Sequence, residues 1–324
     1  MLDILSVGDA TIDKFLKLKD ASVLCNLEKD KCMLCLSFAD KIAVLRLDEK
    51  VAGNALNNAV GSARLGMTAA LYTVLGTDET GRKVMEKMKS EGISPKYVVV
   101  EKGQSNYSVV LNYKSERTIL VYHQPRQYSL EVTDGPKWIY YTSVWARGAG
   151  KLNRQLVSYI KRRQKFLAYN PGTHQINEGI RAMSGLLKVA DVLFVNKEEA
   201  QSIVGDHNNL KTLMRALKVR TPGRIVMTDG GKGSYTYDGE KCYFLPVFKA
   251  KPVEMTGAGD AYATGFIAAL FHGRKAREAM RWGSANSASV IEKVGPQDGL
   301  LTFSGMKKRL AQNKDIQPKV IFRK

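Results

Sequence analysis

The stretch Val192-Leu193-Phe194-Val195-Asn196-Lys197-Glu198-Glu199 joins a short apolar run to the start of a helix-like segment. A run of four apolar residues that ends in a polar one is typical of a buried strand. The same order recurs on both sides of it, because the strand-like runs at 165–169 and 224–228 each follow a helix-like segment. Strands that alternate with helices predict a parallel sheet covered on both faces, so we expect an α/β fold.

The pattern extends towards both ends of the chain as one domain over residues 1–324. Further strands are predicted at 4–7, 69–75 and 138–142, a hairpin over 234–245, and helices near 55–65, 79–91, 150–164, 178–187, 257 onward and 275–292. Two segments, about 12–50 and 97–122, contain β-type runs without helices and are expected to form a small added sheet. The basic tail after Asn313 is expected to fray.

Composition narrows the class of protein. The chain has 324 residues, of which 44% are hydrophobic, which is enough for a large core. It has no apolar run of membrane-spanning length and no basic leader, so we expect a cytoplasmic protein. The net charge of +19 suggests anionic partners, either nucleic acid or phosphorylated metabolites. The charge is scattered and no zinc-finger or RNA-recognition spacing accompanies it, which disfavours a nucleic-acid-binding protein.

Cys25, Cys32 and Cys35 lie close together, and the last two have the spacing of a metal or redox site. A zinc site needs a fourth ligand, and neither Cys242 nor a histidine is near in sequence. Reduced thiols without a metal are therefore the favoured interpretation.

The stretch Thr256-Gly257-Ala258-Gly259-Asp260 carries the strongest chemical signal. Small residues allow a phosphate to approach the backbone, and the helix that follows offers free N–H groups and a positive dipole end. Asp260 in the first turn is placed to take a proton from a hydroxyl that attacks phosphorus. The alternative is that Asp260 caps the helix and the glycines form a tight turn.

Three other polar clusters each have a structural and a functional interpretation. Gly53 and Asn57 lie at the start of a predicted helix. They form either a plain turn with a helix cap or contacts to sugar hydroxyls. Asn196 and Glu199 fit a capping box, or a Mg²⁺ site that acts through water. The stretch Thr228-Asp229-Gly230-Gly231-Lys232-Gly233 fits a glycine hairpin or a nucleotide-binding loop.

Together, these clusters resemble the ribokinase family, also called the phosphofructokinase B family of carbohydrate and nucleoside kinases. Its first signature is matched by Gly53, Asn57, Ala59, Gly66 and Gly76, with nine residues between the last two. The Gly-Ala-Gly-Asp signature ends at Asp260, the Asn-x-x-Glu motif is Asn196 to Glu199, and the nucleotide loop is 228–233. The resemblance runs from Asp9 to about Gly295.

The resemblance implies a three-layer fold with a mainly parallel sheet, helices on both faces and a small β-sheet lid at about 12–50 and 97–122. It implies ATP and Mg²⁺ as cofactors, a sugar or nucleoside substrate, and a homodimer formed through the lid. The implied sites are the anion hole at Gly257, Ala258 and Gly259 with Asp260 as base, substrate contacts at Asp13, Gly53 and Asn57, nucleotide contacts at Asn196, Thr228, Gly230, Gly233 and Asn286, and a magnesium site at Glu199.

Departures from the family pattern affect the cation and the substrate. Glu254-Met255 replaces the usual Asp-Thr, which puts potassium binding at Glu254 in doubt, and Ala52 replaces a glycine. The polar lid candidates that favour a hydroxyl-rich, ribose- or hexose-like sugar are Asn106, Ser108, Arg117 and His123. The aromatic candidates Tyr107, Tyr113 and Trp145 favour a nucleoside, and Arg117 also fits a sugar phosphate. A nucleic-acid-binding protein and a non-catalytic sugar sensor are the alternatives of another class.

Overall fold

The computed structural model describes residues 2–26, 32–114, 116–207 and 209–324. Its strands, in chain order, are β1 (Ile4–Val7), β2 (Thr11–Leu18), β3 (Ser22–Cys25), β4 (Cys32–Cys35), β5 (Val44–Ala52), β6 (Ala69–Gly76), β7 (Ser94–Glu101), β8 (Tyr107–Tyr113), β9 (Glu116–Tyr122), β10 (Trp138–Tyr141), β11 (Phe166–Tyr169), β12 (Val192–Asn196), β13 (Arg224–Thr228), β14 (Ser234–Tyr237), β15 (Lys241–Leu245) and β16 (Lys319–Arg323).

Its helices are α1 (Asn54–Arg64), α2 (Glu79–Ser90), α3 (Gly150–Arg163), α4 (Thr173–Asn177), α5 (Ile180–Leu187), α6 (Lys197–Val204), α7 (Leu210–Arg220), α8 (Ala258–Phe271), α9 (Ala276–Val290) and α10 (Phe303–Gln312). Among the described residues, no helix is both long enough and apolar enough to cross a lipid bilayer.

A ten-stranded sheet forms the middle layer, in the order β16-β15-β14-β13-β12-β11-β10-β1-β6-β7. The strands from β13 to β7 are parallel, while β14, β15 and β16 run antiparallel at one edge. The predicted α/β fold with a mainly parallel sheet is therefore confirmed.

Side chains of the parallel strands alternate between two buried layers, as the period of a strand requires. On β6, Tyr72 packs into the layer that contains α3, α5, α6 and α7, while Leu71 packs on the opposite face against α1 and α2. The helices α8, α9 and α10 complete that second face. Both sheet faces are thus covered by helices, which gives the three layers.

A separate four-stranded sheet has the order β5-β2-β8-β9, and β3 and β4 form an isolated hairpin. The four-stranded sheet does not contain all of the segments expected in the lid, because Tyr97–Glu101 belongs to β7 of the central sheet. The tail also differs from expectation: instead of fraying, Lys319–Arg323 forms β16 and pairs with β15. Neither pairing could be inferred from local β propensity, which does not specify the partner strand.

The prediction of reduced thiols is wrong for two of the cysteines. Antiparallel pairing of β3 with β4 places Cys25 opposite Cys32, and an S–S bond joins them. Cys35 and Cys242 are free thiols. Burial raises the pKa of the Cys242 thiol to about 12, so this side chain packs as a small apolar group.

Candidate active site

A cavity of about 630 Å³ lies along the carboxyl ends of the parallel strands. Polar residues that follow successive strands line its floor: Asp9 after β1, Asn170 after β11, Asn196 at the end of β12 and Thr228 at the end of β13. The separate four-stranded sheet supplies the roof through side chains of β2, β8 and β9. Ligands of open parallel sheets bind at this edge, so the cavity is the candidate site.

Asp260 lies in the first turn of α8 and faces the middle of the cavity. Its Oδ2 accepts a hydrogen bond of 2.9 Å from Asn57 Nδ2. Burial raises the pKa of the Asp260 carboxyl to about 7, opposed by the hydrogen bonds from Asn57 and Tyr140 and reinforced by the carboxylates of Asp13 and Glu199. A carboxylate with this pKa is suited to accept a proton near neutral pH.

Two residues that support Asp260 were missed by sequence reasoning. Gln297 Nε2 donates to Asn57 Oδ1 at 2.9 Å, which fixes the Asn57 amide with its NH₂ group towards Asp260. The Tyr140 hydroxyl, on β10, has one proton, which it donates to Asn170 Oδ1 at 3.0 Å in this structure. When the hydroxyl turns to donate to Asp260 instead, it lowers the pKa of that carboxyl. Gln297 follows a helix and Tyr140 lies in a buried apolar strand, so no local pattern marked either one.

The loop before α8 has the geometry of an anion site. Gly257 has φ of +80°, and a Cβ there would lie 2.3 Å from Pro296 Cβ, so only glycine fits. Within the described parts of the chain, the backbone N–H groups of Gly259 and Asp260 donate no hydrogen bond, and both residues line the cavity. The N–H of Ala258 instead donates to Met255 O at 3.4 Å, and Ala258 lies outside the lining.

Glu254, the candidate cation ligand, braces this loop. Its two carboxylate oxygens accept hydrogen bonds from the Thr256 backbone N–H at 2.9 Å, and its Oε1 also accepts one from Thr256 Oγ1 at 2.6 Å. Both oxygens accept hydrogen bonds within the loop, and a monovalent cation at Glu254 stays a prediction.

The expected substrate residues are mostly brought together. Asp13, Gly53, Asn57 and Arg117 line the cavity. Burial raises the pKa of the Asp13 carboxyl to about 6, against hydrogen bonds from Thr11 and Ser108. Asn106 lies outside the lining, and its amide is engaged, since Nδ2 donates to Asp9 Oδ1 and Oδ1 accepts from Gln124 N.

At the other end of the cavity, Asn196 and Glu199 form a reciprocal capping box that begins α6. Both also line the cavity, as does Thr228, so the capping box is compatible with the predicted nucleotide and magnesium contacts. Burial raises the pKa of the Glu199 carboxyl, and a nearby cation would lower it again by favouring the charged form.

Three expected nucleotide contacts lie outside the lining. Gly230 and Gly233 have φ of +50° and +122° and form the turn between β13 and β14. Asn286 is fully buried, with Nδ2 donating to Ala261 O and Oδ1 accepting from Leu301 N. The Asn286 amide therefore joins α9 to α8 and to the segment before α10, and it is not free for a nucleotide in this structure.

Comparison with known proteins identifies the family to which the chain belongs. The model of the pfkB family carbohydrate kinases matches residues 20–302. The chain belongs to the pfkB family. It is therefore an ATP-dependent phosphotransferase, a sugar or nucleoside kinase, and the ribokinase-like resemblance is confirmed.

Relatives of this pfkB kinase include an uncharacterised sugar kinase of Archaeoglobus fulgidus, 26% identical over 74% of this chain and 98% of the relative. A nucleoside kinase of Methanothermobacter thermautotrophicus is 23% identical over 86% of this chain and 90% of its own. The structure of Arabidopsis thaliana ribokinase complexed with ribose and ATP matches with a TM-score of 0.76 and 18% identity, covering 96% of this chain and 99% of that one. These relatives differ in substrate class, so similarity alone does not identify the substrate.

Proposed function

We propose that this kinase transfers the γ-phosphoryl group of ATP to a hydroxyl of a small ribose- or hexose-like sugar. The observation that carries the proposal is the Asp260 carboxyl, whose pKa is near 7, beside the free N–H groups at the start of α8. The carboxylate takes the proton of the attacking hydroxyl, while the loop from Gly257 to Gly259 stabilises the charge on the phosphoryl group in transfer.

Asp13 and Asn57 hold the sugar at the centre of the cavity. The Asp13 carboxylate accepts hydrogen bonds from sugar hydroxyls, and Gly53 lets α1 begin directly against the β1–β2 connection, since a Cβ there would lie 2.5 Å from Asp9 O. The roof strands cover this region, and closing them over the substrate would keep water away from the phosphoryl group.

The nucleotide lies towards Asn196 and Thr228. Mg²⁺ prefers one or two carboxylates together with water and phosphate oxygens, and Glu199 fits that donor set, since its capping bond uses Oε2 and its Oε1 accepts no hydrogen bond from the described residues. When bound, the ion neutralises charge on the phosphates. We extend the proposal to a homodimer through the separate sheet, where Leu45, Leu47 and Leu120 are exposed apolar side chains.

A phosphorylated sugar fits the cavity poorly. Four carboxyl groups line it, those of Asp9, Asp13, Glu199 and Asp260, against the single guanidinium of Arg117 among the described lining residues. A neutral substrate avoids repulsion from these groups. A nucleoside is the second candidate, because the roof presents apolar Ile119 and Val121 to the cavity.

A substrate panel tests the proposal. The purified chain is incubated with ATP, Mg²⁺ and each of a set of pentoses, hexoses, sugar phosphates and nucleosides, and ADP release is measured together with the mass of the product. We expect one neutral sugar or nucleoside to gain a phosphate, with no gain in the Asp260→Asn variant. Phosphorylation that is equally fast in Asp260→Asn would contradict the mechanism.

A further inference from the structure

The β1 end of the cavity carries polar and aromatic groups that the phosphoryl-transfer mechanism does not use. The cavity runs across β1, β10, β11, β12 and β13 in sheet order, with Asp9 at one end and Thr228 at the other. Asp260 lies between them, beside Tyr140 of β10. Since the nucleotide is assigned to the β12 and β13 end, the Asp9 end faces the part of the substrate most remote from the nucleotide.

Asp9 and His123 meet at this end without completing their hydrogen bonds. Asp9 Oδ1 accepts from Asn106 Nδ2 at 2.9 Å, but Asp9 Oδ2 and His123 Nδ1 have no hydrogen-bond partner among the described residues. The two atoms lie 3.5 Å apart, and the side chains are only 7% and 9% exposed. Buried polar atoms of native proteins are normally paired, so an unpaired pair that lines a cavity indicates a ligand.

The pair is not a simple salt bridge. Burial raises the pKa of the Asp9 carboxyl to about 7, against the opposing charge of Arg126 and the Asn106 hydrogen bond. Burial also lowers the pKa of His123 to about 4, with a further contribution from His174. At neutral pH the imidazole is therefore uncharged, and its Nδ1 is free to donate or accept according to its tautomer.

Flat and apolar groups surround the pair. The His123 and His174 rings meet edge to face with centroids 4.8 Å apart, and the Trp145 ring lies 5.3 Å from His174. On β9, Ile119 and Val121 line the cavity next to His123 and are 41% and 51% exposed. These side chains offer an apolar surface on which a flat ring can pack. A polyol without such a ring would place its hydroxyl groups against this surface and leave them without hydrogen bonds.

We propose that Asp9 and His123 form a recognition site for a nitrogen heterocycle attached to the ribose-like sugar of the proposed function, which is then the sugar moiety of a nucleoside. The inference rests on the proposed function, because it assumes that the sugar hydroxyl is presented to Asp260. A base edge that carries a donor next to an acceptor makes two neighbouring hydrogen bonds, one to Asp9 Oδ2 and one to His123 Nδ1. The base face packs against Ile119 and Val121.

Binding and turnover are tested separately. Kd is measured by calorimetry, with non-hydrolysable ATP analogue present, for adenosine, inosine, ribose, and two nucleosides without the N–H donor, purine riboside and 1-methylinosine. Turnover is measured with ATP and Mg²⁺. We expect adenosine or inosine to bind at least tenfold tighter than both ribose and its own analogue without the donor.

The variants Asp9→Asn and His123→Leu are expected to raise KM for the preferred nucleoside about tenfold or more while kcat changes little. His272→Gln is the matched control, since His272 contacts Leu65 O away from the cavity. Thermal unfolding of each variant confirms that it is folded.

The outcomes separate the two claims. Nucleosides that bind through Asp9 and His123 but are not phosphorylated would support the recognition site and overturn the proposed function. A ribose or hexose that is phosphorylated while nucleosides fail to bind would support the proposed function and overturn the recognition site. Equal KM changes for ribose and nucleoside in Asp9→Asn would also overturn it, because Asp9 would then not contact the base.

Discussion

Asp260 and Asp9 lie in one cavity, are both buried, and both have a pKa raised to about 7, yet their surroundings differ. Asp260 Oδ2 accepts from Asn57, which is itself held by Gln297, so the base is oriented by the protein alone. Asp9 has one oxygen fixed by Asn106 and one without a partner among the described residues. A reacting group must be positioned before the substrate arrives, whereas a recognition group is completed by it.

The same difference extends to the surrounding backbone. Around Asp260, the loop from Gly257 is tied by Glu254 to Thr256 and closely packed on Pro296. Around Asp9, the cavity wall includes the exposed side chains of β9 and the rings of His123 and His174. We therefore expect substitutions at the centre to change kcat, and those at the Asp9 end to change KM with the identity of the substrate.

The largest effect is expected for Asp260→Asn. The amide keeps the shape of the side chain but cannot accept the proton, so kcat should fall about 10²- to 10⁴-fold, the usual contribution of a general base. KM should change much less, because substrate contacts remain. Steady-state kinetics with the best substrate of the panel measures both. Asp134→Asn, an exposed carboxylate paired with Lys96, is the control. If kcat/KM falls only because KM rises, Asp260 acts in substrate binding, and it would not differ in role from Asp9 at the other end of the cavity.

Gly257→Ala should have the second largest effect. A methyl group would clash with Pro296, and a non-glycine residue at this φ costs roughly 1–3 kcal/mol. Displacing the loop would misplace the anion-binding N–H groups, and kcat should fall about 100-fold, as for loss of one oxyanion donor. Urea unfolding and kinetics measure the two losses. Gly92→Ala has a similar φ of +67° but no neighbour within 4 Å, so it should lose some stability and retain kcat.

The alternating pattern from residue 150 to 228 predicts the parallel sheet, because both its strands and its helices are marked by local apolar periodicity. The reacting centre was predicted from motifs whose residues are close in sequence, such as Gly257 to Asp260. The features that the sequence does not predict depend on contacts between residues far apart in the chain. Gln297 meets Asn57 across 240 positions, and β16 pairs with β15 far along the chain. Asn286 matched a motif, but its burial between helices could not be read from the sequence.

Gln297→Leu tests through the pH dependence of the rate whether Gln297 helps to set the pKa of Asp260. Without Gln297, the Asn57 amide is no longer fixed, and the hydrogen bond that lowers the pKa of Asp260 is weakened. We expect kcat to fall about tenfold and the pH–rate profile, which should rise through about pH 7 in the unaltered chain, to move to higher pH. Gln155→Leu removes the hydrogen bonds that Gln155 Oε1 accepts from Ser129 Oγ and from the Leu130 backbone N–H, and it should not move the profile. A purely structural role for Gln297 would lower kcat without moving it.

The smallest effect concerns the stability of the fold. Burial raises the pKa of Asp9, Asp13 and Asp260 to about 7, 6 and 7. Between pH 4 and pH 7 the folded chain therefore binds more protons at these groups than the unfolded chain. Their contribution to the free energy of unfolding falls as pH rises through this window. In urea titrations at pH 5 and pH 8, Asp260→Asn should lose less stability between the two pH values than the unaltered chain.

Asp134→Asn provides the control. The hydrogen bond from Lys96 lowers the pKa of the Asp134 carboxyl, so this group adds stability as pH rises towards its unfolded pKa of about 3.9, and its contribution is constant above that value. Removing it should leave the loss of stability between pH 5 and pH 8 unchanged, whereas removing Asp260 should reduce that loss. Asp9→Asn should act like Asp260→Asn in the free chain. It should differ once the preferred nucleoside is added, because only the ligand completes the Asp9 hydrogen bonds. If saturating nucleoside stabilises Asp9→Asn as much as the unaltered chain, then the ligand does not complete the hydrogen bonds of Asp9. Asp9 would then not be a recognition group, and its contrast with Asp260 would be lost.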